Sequence, residues 1–183
     1  MPRKPAIGLV ELTSIARGIV ACDVMAKRAP VTVARSQTIC PGKYIVLVAG
    51  DEQSVRESME AGEETADGYL VDRLFIANLH EQVLPALVAT RSVSVLDSVG
   101  VIETYSAATT IVAADAACKA ATIELMEIRL GTGLGGKAFV TLTGELHMVE
   151  TAVAAGVDAI ESGMLMRSEV IPAPHPDLGK ALL

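Results

Sequence analysis

The sequence predicts an α/β protein built from two consecutive copies of one domain. Each copy is predicted to be a β-α-β-β-α-β sandwich with a short C-terminal helix. Three observations support this prediction. Residues 7–29 align without gaps with residues 99–121. After a two-residue insertion, residues 41–51 align with residues 135–145, so the repeat covers nearly the whole chain. Within each copy, strand-like and helix-like segments follow the order of a split β-α-β fold.

The first copy begins with a strand and a helix. The segment "AIGLVELTS" is mostly apolar and rich in β-branched residues, as strands are. The segment "SIARGIVACDVMAKRA" predicts a helix, in which Ile15, Ile19, Cys22 and Ala26 fall on one face at helical spacing. Ser14 precedes this helix, where its hydroxyl can accept a hydrogen bond from a free backbone N–H. The pattern therefore predicts a helix capped by Ser14.

The rest of the first copy predicts a hairpin, a second helix and a last strand. The strand-like segments "VTVARSQTI" and "KYIVLVAG" flank a short break at Cys40 and are predicted to pair as a hairpin. "DEQSVRESMEAGEETA" predicts a helix, because acidic residues in a first turn interact favourably with the helix dipole. "YLVDRLFIANL" predicts a strand and "HEQVLPALV" a short helix. The predicted domains are residues 6–88 and 98–183, joined by residues 89–98.

The composition favours a self-associating cytosolic protein. Of the 183 residues, 51% are hydrophobic and 20% are charged, and small domains leave much apolar surface exposed to water unless they assemble. No apolar run reaches the length of a membrane span or of a signal peptide. A net charge of −7 and 3% aromatic residues argue against nucleic acid as a partner. The three cysteines are expected to be reduced.

The repeated segments resemble a known family. "GLVELTSIARGIVACDVMAKRA", "GVIETYSAATTIVAADAACKAA" and the later "VIPAPHPDL" are similar to motifs of the bacterial microcompartment (BMC) shell domain. Two such domains in one chain resemble the tandem class of these shell proteins. The resemblance implies a structural protein rather than an enzyme, located in a microcompartment of the cytoplasm. It implies a homotrimer shaped as a pseudohexamer, with a central pore, that assembles with other shell proteins.

The cysteine of "TICPGK", residues 38–43, has a specific interpretation by resemblance. This loop is similar to that of the propanediol-utilisation tandem shell proteins that carry an iron–sulfur cluster. The resemblance implies that Cys40 is a metal ligand and that one [4Fe–4S] cluster per trimer serves electron transfer. Residue type alone favours an inert thiol, and a zinc–thiolate site is a third reading, although structural zinc prefers four protein ligands. Cys22 and Cys118 align with alanines in the other copy and are expected to be packing residues.

A glycine-rich segment aligns with this loop. "GTGLGGKA", residues 131–138, matches the start of a P-loop, but Ala138 stands where a P-loop has Ser or Thr, and a strand-like segment follows. A hairpin loop is therefore predicted, and a nucleotide-binding regulator or enzyme is disfavoured. The resemblance implies that both loops line the pore. The expected pore residues are Thr38, Ile39, Cys40, Pro41, Gly42, Gly133, Leu134, Gly135 and Gly136. The alternative function is a tile without a cluster, whose pore conducts small metabolites.

Two further residue pairs recur in both copies. Lys27 and Lys119 end the first helix of each copy, where a cation is favoured by the helix dipole and can simply be solvated. The resemblance implies that these lysines lie at the tile edge and contact a neighbouring tile. Glu11 and Glu103 follow the apolar run of the first strand in each copy. We expect each of these carboxylates to make a structural hydrogen bond.

Overall fold

The structure, a computed structural model, describes residues 5–89 and 96–178. The described chain divides into two compact units. The first unit contains the described residues up to Leu79 together with Gly131–Gly136, and the second contains His80–Leu130 and the described residues from Lys137 onward. Part of the predicted connector and the end of the second predicted terminal helix, residues 179–183, lie outside the described residues.

Each unit contains the four strands and the two long helices predicted from the repeat. The first unit contains β1 (Ala6–Leu12), α1 (Ile15–Arg28), β2 (Thr32–Ile39), β3 (Lys43–Gly50), α2 (Glu52–Ala66) and β4 (Leu70–Ile76). The second unit contains α3 (Val83–Val88), β5 (Ser98–Thr104), α4 (Ala107–Ala120), β6 (Glu124–Leu130), β7 (Ala138–Gly144), α5 (Leu146–Asp158) and β8 (Leu165–Ile171). The α/β class and the β-α-β-β-α-β order are confirmed.

The two sheets have the same topology. Four strands lie in the order β2-β3-β1-β4 in one sheet and β6-β7-β5-β8 in the other, and all neighbouring strands are antiparallel. The central pairs also share their register, because Gly8 lies opposite Val48 and Gly100 lies opposite Leu142. In each unit, the first two long helices begin directly after the first and third strands. The sequence duplication is therefore a duplication of structure.

Helix α1 packs closely on the rest of the first unit through a face that carries Gly18. Gly18, Ala21 and Met25 form its buried face. A Cβ atom placed on Gly18 would lie 2.5 Å from Cδ1 of Tyr44, and one placed on Gly62 of α2 would lie 2.6 Å from Sδ of Met25. These distances are shorter than any normal contact, so glycine is required where α1 approaches the sheet and α2. As predicted, Ser14 caps α1 by accepting a hydrogen bond from the backbone N–H of Arg17 at 3.2 Å.

The apolar face predicted for α1 is not its packed face. Ile15 and Ile19 are 40% and 55% exposed, Ala26 is exposed and Cys22 is half-buried at the edge of the core. The reason is the glycine requirement described above, because only the face that carries Gly18 can approach the sheet closely. The spacing of the four residues is helical, but they leave a largely apolar surface exposed on the chain.

The segment that follows the first repeat packs with the second unit. Helix α3 lies against β6 and α4, and its residues Val83, Ala86 and Leu87 are at most 4% exposed. The sequence repeat instead predicts that residues 80–88 end the first domain. Their burial follows from apolar side chains that α4 and β6 cover. The domain limits 6–88 and 98–183 remain a prediction based on the sequence repeat.

Candidate functional site

Cys40 lies in the tight turn between β2 and β3. The backbone N–H of Gly42 donates to the carbonyl oxygen of Ile39 at 3.1 Å, which closes the turn. Gly42 has a φ of +85°, a conformation that glycine adopts without steric cost. Ile39 is buried, Cys40 is half-buried, and Thr38, Pro41 and Gly42 are exposed. The thiol of Cys40 therefore belongs to a surface turn anchored by a buried neighbour.

The glycine-rich loop lies directly against this turn. The backbone N–H of Cys40 donates to the carbonyl oxygen of Gly131 at 3.0 Å. A Cβ atom placed on Gly136 would lie 2.9 Å from Cδ of Pro41, so the two backbones approach too closely for a side chain. Gly133 and Gly135 are exposed and Leu134 is half-buried. The structure thus places the two predicted pore segments in direct contact within one chain, which the sequence did not predict.

An ion pair fixes the strand that leaves the Cys40 turn. Lys43 begins β3 and its ammonium group pairs with the carboxylate of Glu11 on β1, which is fully buried. The second unit repeats the arrangement, with Nζ of Lys137 at 2.5 Å from Oε1 of Glu103. The expected structural role of both glutamates is confirmed. In the first unit the pair joins the central strand to the residue three positions after Cys40.

One chain offers a single thiol at this turn. Cys118 is buried in α4, Cys22 is half-buried in α1, and all three cysteines are free thiols. Within the described residues, no group of three or more His, Cys, Asp or Glu side chains is placed to hold a metal ion. A cluster that needs three thiolates therefore fits the Cys40 turn only where three copies of the turn converge.

The two tile-edge candidates make equivalent ion pairs. Nζ of Lys27 lies 2.6 Å from Oδ2 of Asp23, and Nζ of Lys119 lies 2.5 Å from Oδ2 of Asp115. The side chains of Lys27 and Lys119 are 74% and 40% exposed. Both ammonium groups can therefore still contact another molecule while paired within their own helix.

The family model named "BMC domain" matches residues 6–79 and 98–174. The chain belongs to the BMC-domain family. It is 40% identical over 179 residues to the bacterial microcompartment shell protein PduT of Citrobacter freundii, covering 97% of both chains. It is 30% identical over 192 residues to the carboxysome assembly protein CcmO of Synechococcus elongatus, covering 97% of this chain and 68% of the relative.

A solved BMC structure matches the whole fold. A microcompartments protein from Desulfitobacterium hafniense DCB superimposes with a TM-score of 0.90 at 48% identity, covering 97% of this chain and 99% of that one. The protein is thus a microcompartment shell protein with tandem BMC domains, and it is structural rather than enzymatic. Among residues 5–89 and 96–178, no helix combines the length and apolar character that crossing a membrane requires.

Sequence reasoning missed one long-range contact. The backbone N–H of His80 donates to Oδ1 of Asp115 at 2.8 Å, which ties the segment before α3 to α4. The signal was present in the repeat, because His80 aligns with His175 and Asp115 aligns with Asp23. Nothing in the local pattern of either residue joins them, since the contact spans 35 positions of the chain.

Proposed function

We propose that this shell protein forms a homotrimeric, pseudohexameric tile whose central pore holds one [4Fe–4S] cluster, ligated by Cys40 of each copy. The carrying observation is the Cys40 turn. Its thiol is not part of the core, its backbone N–H is held by Gly131, and its neighbours Pro41 and Gly42 are exposed. A side chain anchored in this way suits a role between copies rather than within one chain.

The duplicated fold supports the trimer. Each chain supplies two units of the same topology, so three chains in a ring supply six similar units around one axis. The chain also exposes apolar side chains on α1, including Ile15, Ile19 and Val20. An exposed apolar patch of this kind favours association. The same ring brings three Cys40 turns and three glycine loops toward its centre.

The chemistry of the turn suits a soft metal centre. Thiolates are the ligands that iron–sulfur clusters prefer, and three of them leave one iron of a cubane open. When bound, such a cluster supplies one-electron transfer at the shell boundary. The chain's own contribution is to hold the Cys40 backbone through Gly131, to keep the following strand in place through the pair between Lys43 and Glu11, and to leave room through Gly133 and Gly135.

The same proposal assigns roles to the remaining predicted residues. Thr38 to Gly42 and Gly133 to Gly136 would line the pore, and Lys27 and Lys119 would contact neighbouring tiles. A tile without a cluster, with a pore for small metabolites, is the second candidate. It is favoured by the single thiol that one chain offers and by the absence of a complete ligand set among the described side chains of one chain.

Two measurements on the wild-type protein test the proposal. Light scattering should give about 57 kDa, three times the 19.1 kDa chain. Anaerobic reconstitution with iron and sulfide should give a brown protein with about four irons per trimer. A trimer that binds no iron leaves the metabolite pore as the function, whereas a monomer at micromolar concentration contradicts the ring itself.

A further inference from the structure

The terminal segment of the first repeat is docked on the second unit. Besides the bond from His80 to Asp115, the side chain of Gln82 bridges two backbone groups. Its Nε2 donates to the carbonyl oxygen of Ile123 at 2.8 Å, and its Oε1 accepts from the N–H of Leu125 at 2.9 Å. Together with the buried apolar residues of α3, these contacts define a receiving surface made by α4 and the start of β6.

The terminal segment of the second repeat has the same local conformation. In both segments, Nδ1 of a histidine accepts from the N–H two residues later, and the carbonyl oxygen of that histidine accepts from the N–H three residues later. These distances are 3.4 and 3.1 Å for His80. They are 3.2 and 2.9 Å for His175. The segment that begins at His175 is thus already folded as its docked counterpart is.

The corresponding receiving surface on the first unit is open. The side chain of Asp115 is 8% exposed, whereas that of its counterpart Asp23 is 59% exposed. The two carboxylates make the same i,i+4 ion pair with a lysine, so the difference lies in what covers them. Asp115 accepts from the backbone N–H of His80, and Asp23 retains an accessible oxygen for an equivalent donor.

The apolar side chains of α1 and α4 differ in exposure in the same way as the two aspartates. Ile15, Ile19 and Val20 of α1 are 40%, 55% and 47% exposed. The counterparts of the first two in α4 are Ala107 and Ile111, which are 2% and 0% exposed. A helix that is covered in one unit is therefore uncovered in the other, at the same positions of the repeat.

We propose that α1 of one copy receives residues 175–178 of a second copy of this chain. In this contact the backbone N–H of His175 donates to Asp23. Leu178 takes the place that the buried Val83 has in the docked segment.

The repeat identifies the occupant. Within the described residues, the terminal segment of the first repeat is docked on α4, whereas the terminal segment of the second repeat and α1 form a pair of the same types that is not docked. A contact between a terminal segment of one copy and α1 of the next uses different surfaces on the two partners, so it is head-to-tail and can close into a ring. The two terminal segments differ at one polar position, where Asp177 stands in place of Gln82. The carboxylate of Asp177 can accept from a backbone N–H, as Gln82 does, but it cannot donate to a carbonyl oxygen.

The inference adds the contact surface to the proposed trimer, and two complementary variants test it. Ile19→Asp places a charge on α1, and a chain without residues 175–183 lacks the docking segment. Each variant alone should be a monomer with native circular dichroism, because each lacks one half of the contact. Mixed in equal amounts, they should form a heterodimer of about 38 kDa, twice the 19.1 kDa chain, since one variant keeps α1 and the other keeps the segment.

The controls separate this contact from the trimer itself. Leu146→Glu adds a charge at a residue that is 40% exposed and whose counterpart is Glu52, so it should leave the wild-type mass unchanged. If wild type is a trimer and both variants remain trimers, the contact is wrong and the trimer stands. If wild type is a monomer, both the contact and the trimer are wrong. A mixture that forms no heterodimer overturns the head-to-tail contact. If Ile19→Asp does not fold, Val20→Asp is used in its place.

Discussion

The carboxylate of Glu11 pairs with the ammonium group of Lys43 in the interior of the first unit, where the two side chains are 0% and 13% exposed. The equivalent side chains of Glu103 and Lys137 are 30% and 40% exposed. A charge left without its partner costs more in the interior than near water. The ion pair is therefore expected to contribute more to stability in the first unit than in the second.

Glu11→Gln should lower the free energy of unfolding by about 3–5 kcal/mol, because it leaves the largely buried Lys43 ammonium without its carboxylate. Glu103→Gln should lower it by less than about 1 kcal/mol, because water screens the more exposed pair. Urea unfolding measures both, at one protein concentration, since association changes the apparent stability. Equal losses for the two variants would contradict this account.

Cys40→Ser should abolish the reconstituted cluster and leave the trimer intact. A hydroxyl is a poor ligand for iron in place of a thiolate, and Cys40 contributes no buried side chain to the core. Visible absorption and iron content measure the cluster, and light scattering measures the mass. Cys22→Ala and Cys118→Ala are the matched controls and should retain both. A Cys40→Ser trimer that is still brown would contradict the assignment of Cys40 as the cluster ligand.

Replacement of Lys27 and Lys119 together by Ala should impair assembly of tiles into sheets. The exposed ion pair of Lys27 is worth only about 0.3–0.5 kcal/mol. Removal of Lys119 should cost more, because it leaves the largely buried carboxylate of Asp115 without its cation, although Asp115 still accepts from the backbone N–H of His80. Neither change removes a buried apolar side chain, so the fold and the trimer should persist. Electron microscopy of the assemblies and light scattering of the trimer distinguish the two levels. Arg56→Ala is the control, because it removes another exposed cation that makes an i,i+4 ion pair within a helix. Loss of the trimer in the double variant would place these lysines inside the ring instead.

Asp51, the N-cap of α2, is expected to make the stability of the protein depend on pH. The hydroxyl of Ser54 donates to Asp51, and this bond, followed by the bond from the Ser54 backbone N–H, lowers the pKa of Asp51 below its ordinary value of 3.8. A lowered pKa means that the charged carboxylate stabilises the folded state above pH 3.8, and that this contribution disappears as the pH falls through the folded-state pKa.

Asp51→Asn should therefore lower the urea midpoint near neutral pH, because it removes the stabilising charge. The difference from wild type should shrink as the solution becomes acidic. Ser14→Ala removes the cap of α1, which carries no titrating group, so its loss of stability should be independent of pH in this range. A pH-independent effect of Asp51→Asn would show that the charge of Asp51 does not contribute.

Helix α1 shows how far the sequence predicts the fold. Its limits and its Ser14 cap follow from local signals, the helical spacing and a hydroxyl before the first turn. Its packed face does not, because the spacing of Ile15 and Ile19 is equally consistent with a core and with a surface between copies. The decisive residue, Gly18, is recognisable only when Tyr44 is seen beside it.

The candidate site shows the same limit. The alignment of the repeats predicted that Cys40 and Leu134 occupy equivalent positions, because that requires only the sequence. The hydrogen bond between Cys40 and Gly131 joins positions far apart in the chain. No local propensity or motif encodes such a contact, so it had to be found in the structure.

The presence of Leu134 in the second repeat, where the first repeat has Cys40, would set the stoichiometry of the proposed site. A ring of six identical single domains repeats every loop residue six times, so a cysteine at this position would put six thiols around the axis. In the proposed ring of three duplicated chains, a cysteine in one repeat alone would leave three. Duplication would thus make an odd number of ligands available to an assembly of six domains, and each thiol could change without altering the loop of the other repeat.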